Sequence, residues 1–397
     1  MKRRDFIKNA SFLTAGTMFT PLFLQQTLGK NTDPFEGKRV VIIQFSGGND
    51  GLNTIVPYLD DLYHKARPTL SFKESEVFKL DNDLGINGNM KGIAELYDKG
   101  YVSVINNVGY PNPNRSHFRS MDIWHTASDS NEYIQTGWLG RYLDSYCKSV
   151  DAVIEYDNTL SLALKGANMK GVAVDQPYTF YNSLKVDQFD KLAKGAASKE
   201  TLDENNKGYL YKTLAEASQS AEYIYEKSRI YKSDVHFPNS YLGKSLKSIS
   251  ELIKSGIHTK VFYATIGGFD THVNQKNSQN RLLRDYSDSV AAFVKELEKS
   301  GNFDDTIIMT FSEFGRRVAQ NASQGTDHGA ANNVFLIGKN LKSKGIVNEN
   351  PDLSNLHQGD LIYSVDFRSI YADLLDNWLN VSSSEILSKK INTLRLV

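Results

Sequence analysis

"RVVIIQFSGGNDGLN", residues 39–53, decides the fold. Its first seven residues form a short, nearly unbroken apolar run rich in β-branched side chains, which predicts a strand buried on both faces of a parallel sheet. The run stops at Gly47-Gly48 and is followed at once by Asn49 and Asp50. The same arrangement returns in "TKVFYATIGGFDTH", residues 259–272: an apolar run, two glycines, one residue, then Asp270 and, two further on, His272. Two strand ends far apart in the chain thus each carry a carboxylate behind paired glycines.

Further apolar runs at 101–110, 306–311 and 332–338 read as strands, and helical spacing marks 90–100, 116–127, 137–147, 241–256, 279–301 and 365–379. Strands alternating with helices predict an α/β fold, a mostly parallel central sheet with helices on both faces. There is no tandem repeat and no low-complexity linker. The expectation is one domain over 36–397, with a helical insertion around 199–256 whose lysine- and tyrosine-rich part, 199–234, lies on the sheet as a cap.

Lys+Arg and Asp+Glu both number 46, so no net charge draws the chain to nucleic acid or to an acidic membrane. The single cysteine, Cys147, excludes an intramolecular disulfide and any cysteine-rich zinc site; a metal here needs oxygen and imidazole ligands. Residues 1–30 combine a basic start, Arg3-Arg4 before Asp5-Phe6-Ile7-Lys8, with a short interrupted apolar run. This predicts a twin-arginine export signal and a periplasmic or extracellular protein without a stable membrane span.

In open α/β sheets, sites form beyond the carboxyl ends of the strands. Those ends are loaded here: Asp50 after the first strand, Asp270 and His272 after 259–266, Glu313 and Arg316 after 306–311, and Asp327-His328 just before 332–338. Each has a plain structural reading. Asp50 and the Asp327-His328 pair suit tight turns, and Glu313 could pair with Arg316 or Arg317. Together they form a nitrogen and oxygen ligand set that suits zinc, manganese, magnesium or calcium. Ser116, after "YPNPNR", opens a helix. It is either an N-cap or a nucleophile placed where the helix dipole favours an anionic phosphoryl or sulfuryl group. Arg115 and His117 flank it, His117 as a structural or substrate-contact residue.

The motifs "GGNDGLNTIVPY", "RSHF", "GWLGRYLD", "GGFDTHVNQ", "SEFGRR", "NASQGTDHGAANNVFLIG" and "VDFRSIYADLL" resemble the bacterial family called domain of unknown function 1501, within the alkaline phosphatase and sulfatase superfamily. The resemblance implies metals at the strand ends, Asp50, Asp270, His272, Asp327 and His328 as ligands, and Ser116 as nucleophile. It adds His357 as a last ligand, although no motif surrounds that residue. The C/S-x-P-x-R signature of formylglycine sulfatases is absent. The function these features imply is metal-dependent hydrolysis of phosphate or related esters of small molecules or glycans, with Arg316 on the substrate anion. The alternative is a non-catalytic protein that uses the same fold to bind a glycan or a partner.

Overall fold

The residues Arg39–Phe45 form strand β1, and all but the first are buried. Val41, Ile43 and Phe45 belong to one apolar cluster, Val40 and Ile42 to another. Alternate side chains leave a strand on opposite faces. A strand apolar at nearly every position therefore needs cover on both sides, and this one has it.

A computed structural model describes residues 37–185 and 206–397. Its main sheet has nine strands: β1, β2 (Val102–Gly109), β3 (Val153–Tyr156), β4 (Val172–Ala173), β5 (Val261–Ile266), β6 (Thr306–Ser312), β7 (Asn332–Ile337), β8 (Gly345–Ile346) and β9 (Val365–Asp366). The spatial order is β8-β2-β7-β6-β1-β5-β3-β4, with β9 beside β2. Strand β7 runs antiparallel to both neighbours. The other pairings are parallel. The sheet is mostly parallel, as expected.

The helices are α1 (Asp61–Ala66), α2 (Lys91–Asp98), α3 (His117–Thr126), α4 (Trp138–Tyr146), α5 (Pro177–Leu184), α6 (Asn206–Ser228), α7 (Tyr241–Lys254), α8 (Gln275–Ser300), α9 (Phe367–Asp373) and α10 (Ser383–Leu387). Apolar residues of α2, α6, α7 and α8 cover the Phe45 face. Those of α3, α4, α9 and α10 cover the other. No described helix is long and apolar enough to cross a membrane.

Two local readings are corrected. Helix α8 begins at Gln275 rather than 279, because its first turn is buried through polar residues, Gln275 and Gln279, which apolar periodicity does not register. The stretch 365–379 is not one helix: Val365–Asp366 pairs with β2, Asp366 caps α9, and a π-helical turn follows at Leu374–Trp378. Between β3 and the insertion lie edge strand β4 and helix α5, which the sequence reading did not assign. In the expected insertion, α6 buries Ser220, Ala221 and Ile224, and the Ser220 hydroxyl donates to Asp151 Oδ1 at 3.0 Å. Residues 1–30 and 199–205 lie outside the described residues.

The paired glycines have a steric cause. Gly47 and Gly48 sit at φ of 120° and 71°, where side chains are strained. A Cβ on Gly47 would lie 2.4 Å from the Asp270 nitrogen, and one on Gly48 would lie 2.2 Å from the Phe314 ring. The turn after β1 thus runs directly against the turn after β5 and against the residue following Glu313.

Candidate active site

Three imidazoles converge on one carboxylate oxygen at the start of α3. The Nε2 atoms of His117, His272 and His328 lie 3.4, 3.0 and 3.2 Å from Asp270 Oδ1. His272 Nε2 and His328 Nε2 are 2.9 Å apart. Among the described residues, His117, Asp270 and His328 each place a ligand atom within 4.8 Å of the others. His117, from a third loop, thus stands with Asp270, His272 and His328.

Each ring has an acceptor behind it. His117 Nδ1 lies 2.8 Å from Glu313 Oε1, and His328 Nδ1 lies 2.8 Å from the Arg115 carbonyl oxygen. His272 Nδ1 lies 3.3 Å from Asp327 Oδ1. An acceptor at Nδ1 holds the ring hydrogen there and turns the Nε2 lone pair inward, the arrangement usual for metal-ligating histidines. Two inward lone pairs at 2.9 Å, next to a carboxylate, repel unless a cation or a proton lies between them. A metal with bonds of about 2.0–2.1 Å to nitrogen and oxygen holds adjacent ligand atoms about 2.9–3.4 Å apart in octahedral or tetrahedral geometry. The separations of the His117 and His328 nitrogens from Asp270 Oδ1 fall in that range, so His117, Asp270 and His328 fit a divalent ion, with His272 beside them.

The electrostatics agree with the contacts. The hydrogen bond to Glu313 raises the His117 pKa against the opposing effect of burial. Burial pushes the Asp270 carboxyl up, but the hydrogen bond from Arg316 and the contact with His328 overcome it and leave the pKa at about 2. The Asn321 amide, against some burial and with help from His272, holds Asp327 below the usual carboxylate range. Phe314 is buried and packs at 4.8 Å from both the His117 and His328 rings, closing the site on its inner side.

Several expected roles change. Asp50 is not in the cluster. Its Oδ2 is 2.6 Å from Arg67 in a pair that is 1% and 0% exposed, and it also accepts from Gln275. The same guanidinium donates to Asn53 Oδ1, Val318 O and Arg317 O at 2.8, 2.8 and 2.9 Å. A fixed arginine thus neutralises this acid. Arg316 is not a substrate-anion contact here: it is buried and donates to the carbonyls of Gly47, Gly48, Phe269 and Thr326 as well as to Asp270. It ties together the loops that carry the cluster. Glu313 is fully buried and orients His117 rather than pairing with an arginine. Asp327 stands one layer out, behind His272. His357 is exposed on the Leu356–Leu361 hairpin and outside the group.

Ser116 is the N-terminal flanking residue of α3, but its side chain makes no capping hydrogen bond. The Asn114 side chain instead accepts from the Ser116 backbone nitrogen at 2.8 Å. The hydroxyl is exposed. Its two chain neighbours both touch the cluster, Arg115 through its carbonyl and His117 through its ring.

Sequence reasoning missed Arg67, Gln275 and Gln279. Gln279 donates to the Asp50 carbonyl at 2.9 Å, one helical turn after Gln275. The i, i+4 glutamines opening α8 were a usable signal; Arg67 had none.

No curated protein matches the chain. Solved structures similar to it include the lipoteichoic acid synthase LtaP from Listeria monocytogenes, at 10% identity and a TM-score of 0.37, covering 80% of this chain and 70% of that one. The C-terminal periplasmic domain of EcEptC from Escherichia coli, in complex with Zn, aligns at 10% identity and a TM-score of 0.37, over 76% and 74% of the two chains. A protein in the alkaline phosphatase superfamily from Vibrio parahaemolyticus aligns at 11% and 0.36, over 76% and 60%. Residues 251–377, which contain Asp270, His272, Glu313, Arg316, Asp327 and His328, match the family described as "Protein of unknown function (DUF1501)", the family to which the motifs point.

Proposed function

We propose that the chain is an exported, metal-dependent hydrolase of phosphate or related esters, with His117, Asp270, His272 and His328 as metal ligands and Ser116 as nucleophile. The observation that carries this reading is the convergence of three Nδ1-backed imidazoles on Asp270 Oδ1 beside an uncapped, exposed serine at a helix N-terminus. The nitrogen-rich donor set favours zinc or manganese over magnesium or calcium. A bound divalent ion would supply Lewis-acid polarisation of the ester and stabilise developing negative charge.

The chain's own residues do the rest. The first turn of α3 offers backbone N–H groups and the positive end of the helix to the ester oxyanion. Ser116 Oγ forms a bond to phosphorus or sulfur as the ester oxygen leaves; the serine proton ends on the departing alcohol. Water then cleaves the seryl ester, releasing the inorganic anion and restoring the hydroxyl. Glu313 and Asp327 hold the His117 and His272 rings in one orientation throughout. Export by the twin-arginine route, with Arg3 and Arg4 as the signal, completes the proposal.

The test is metal analysis of the purified protein followed by a panel of phosphomonoesters, phosphodiesters and sulfate esters. Turnover that Ser116→Ala abolishes while metal content stays near wild type supports the proposal. Full activity in Ser116→Ala removes the serine from the mechanism. A tightly held metal with no cleaved ester favours instead a protein that binds a glycan or partner, a reading to which the neutralised Asp50 and the internally engaged Arg316 lend weight.

A further inference from the structure

Arg316 and Arg317 are adjacent and differ sharply. Arg316 is buried, with its guanidinium taken up by backbone carbonyls. Arg317 has a pinned backbone and a half-exposed head in one long ion pair. Its nitrogen donates to Asp327 O at 3.0 Å, and its carbonyl accepts from Arg67 at 2.9 Å. Its side chain is 40% exposed, and its guanidinium makes no hydrogen bond among the described residues; the ion pair to Asp360 Oδ1 is 3.8 Å long.

Arg115 meets the same carboxylate from the other side. Its Nε and one terminal nitrogen both donate to Asp360 Oδ2, the former at 2.9 Å. Its side chain is 35% exposed and that of Asp360 3%. Asp360 Oδ1, facing Arg317, accepts no hydrogen bond. Asp327 lies within electrostatic reach of Arg317, but its bonded oxygen is engaged by Asn321 and His272.

Two half-exposed guanidinium groups therefore share one buried carboxylate, with N–H donors left over. They stand beside the cluster and not in it: the Arg115 carbonyl turns toward His328 while its side chain turns to Asp360. Guanidinium groups with open donors recognise planar or tetrahedral oxyanions by paired hydrogen bonds.

We propose that Arg115 and Arg317, held by Asp360, bind a second anionic group of the substrate, a carboxylate or sulfate. The substrate class is then a polyanionic ester. This rests on the proposed ester chemistry, and the experiment separates the two. Three probes are titrated calorimetrically into metal-loaded Ser116→Ala protein: phenyl phosphate, 4-carboxyphenyl phosphate and benzene-1,3,5-tricarboxylate. One well-made charge-assisted contact gives 4-carboxyphenyl phosphate an affinity about tenfold above phenyl phosphate. Adding Arg317→Met brings that ratio close to one, and Arg317→Lys restores part of it.

Equal affinity for the two phosphates overturns the inference without any variant. So does a preference that survives Arg317→Met in folded protein. If neither phosphate binds but the tricarboxylate binds and Arg317→Met abolishes that binding, the anion site stands and the ester reading fails. If no probe binds, the anion site is refuted. Turnover of both phosphates by the wild type at equal KM refutes the anion site while leaving the hydrolase reading intact.

Discussion

Replacing Arg67 by Met tests whether Asp50 is a structural acid or a metal ligand. In the structure Asp50 and Arg67 are 2.6 Å apart and 1% and 0% exposed, so the methionine leaves a buried carboxylate with the Gln275 amide as its remaining hydrogen-bond donor among the described residues. Removing one partner of a buried pair costs about 3–5 kcal/mol, because the other charge stays desolvated. Asp50→Asn is milder. Arg67 keeps Asn53 Oδ1, Val318 O and Arg317 O as acceptors, so roughly 1–3 kcal/mol is expected. The double variant, with neither charge, falls well short of the sum, and the coupling is about 2 kcal/mol or more. Urea unfolding followed by fluorescence gives all three differences, and metal content is measured on the same samples. The account expects Asp50→Asn to retain its metal. Additive losses, or a folded Asp50→Asn that has lost its metal, refute the assignment of Asp50 to Arg67.

Glu313→Gln keeps an acceptor for the Gly47 nitrogen, 2.9 Å away, but removes the charge behind His117. Metal affinity should fall about 10–100-fold in a competitive chelator titration, with the fold intact. His125 is buried against Gln44 and Tyr263, and burial pushes its pKa down to about 4. The unfolded chain, with a histidine pKa near ~6.5, binds more protons in between, so stability is full above about pH 6.5 and falls toward pH 4. The loss is about 3 kcal/mol over that window, and the difference in unfolding free energy between wild type and His125→Gln should carry this slope. Replacing both Arg3 and Arg4 by Lys should leave precursor in the cytoplasm on fractionation; undiminished export contradicts the twin-arginine reading.

The sheet was legible because β1, β5 and β6 are apolar on consecutive residues, and only a doubly covered strand tolerates that. The Gly-Gly-x-Asp repeat falls on two turns that touch. It misled about Asp50, because an acid at a strand end looks the same whether a metal or an arginine neutralises it. Arg67 lies 17 residues from Asp50 in the chain and carries no spacing signal. The role of His117 was hidden for a similar reason. Its partners, Glu313, Asp270 and His328, come from other loops, and the close approach of Gly48 to Phe314 and the bonds of Arg316 bring those loops together. Arg316 and Arg317 are chemically identical in sequence. Burial alone separates the one that braces the loops from the one left open.

The most direct test of the central claim is zinc K-edge X-ray absorption on the wild-type protein loaded with one equivalent of zinc, compared with His328→Ala. The account predicts a first shell of nitrogen and oxygen at about 2.0–2.1 Å with the outer-shell pattern of several imidazoles, and one imidazole fewer or no bound zinc in the variant. A zinc site without imidazole scattering, or a spectrum unchanged by His328→Ala, would contradict it.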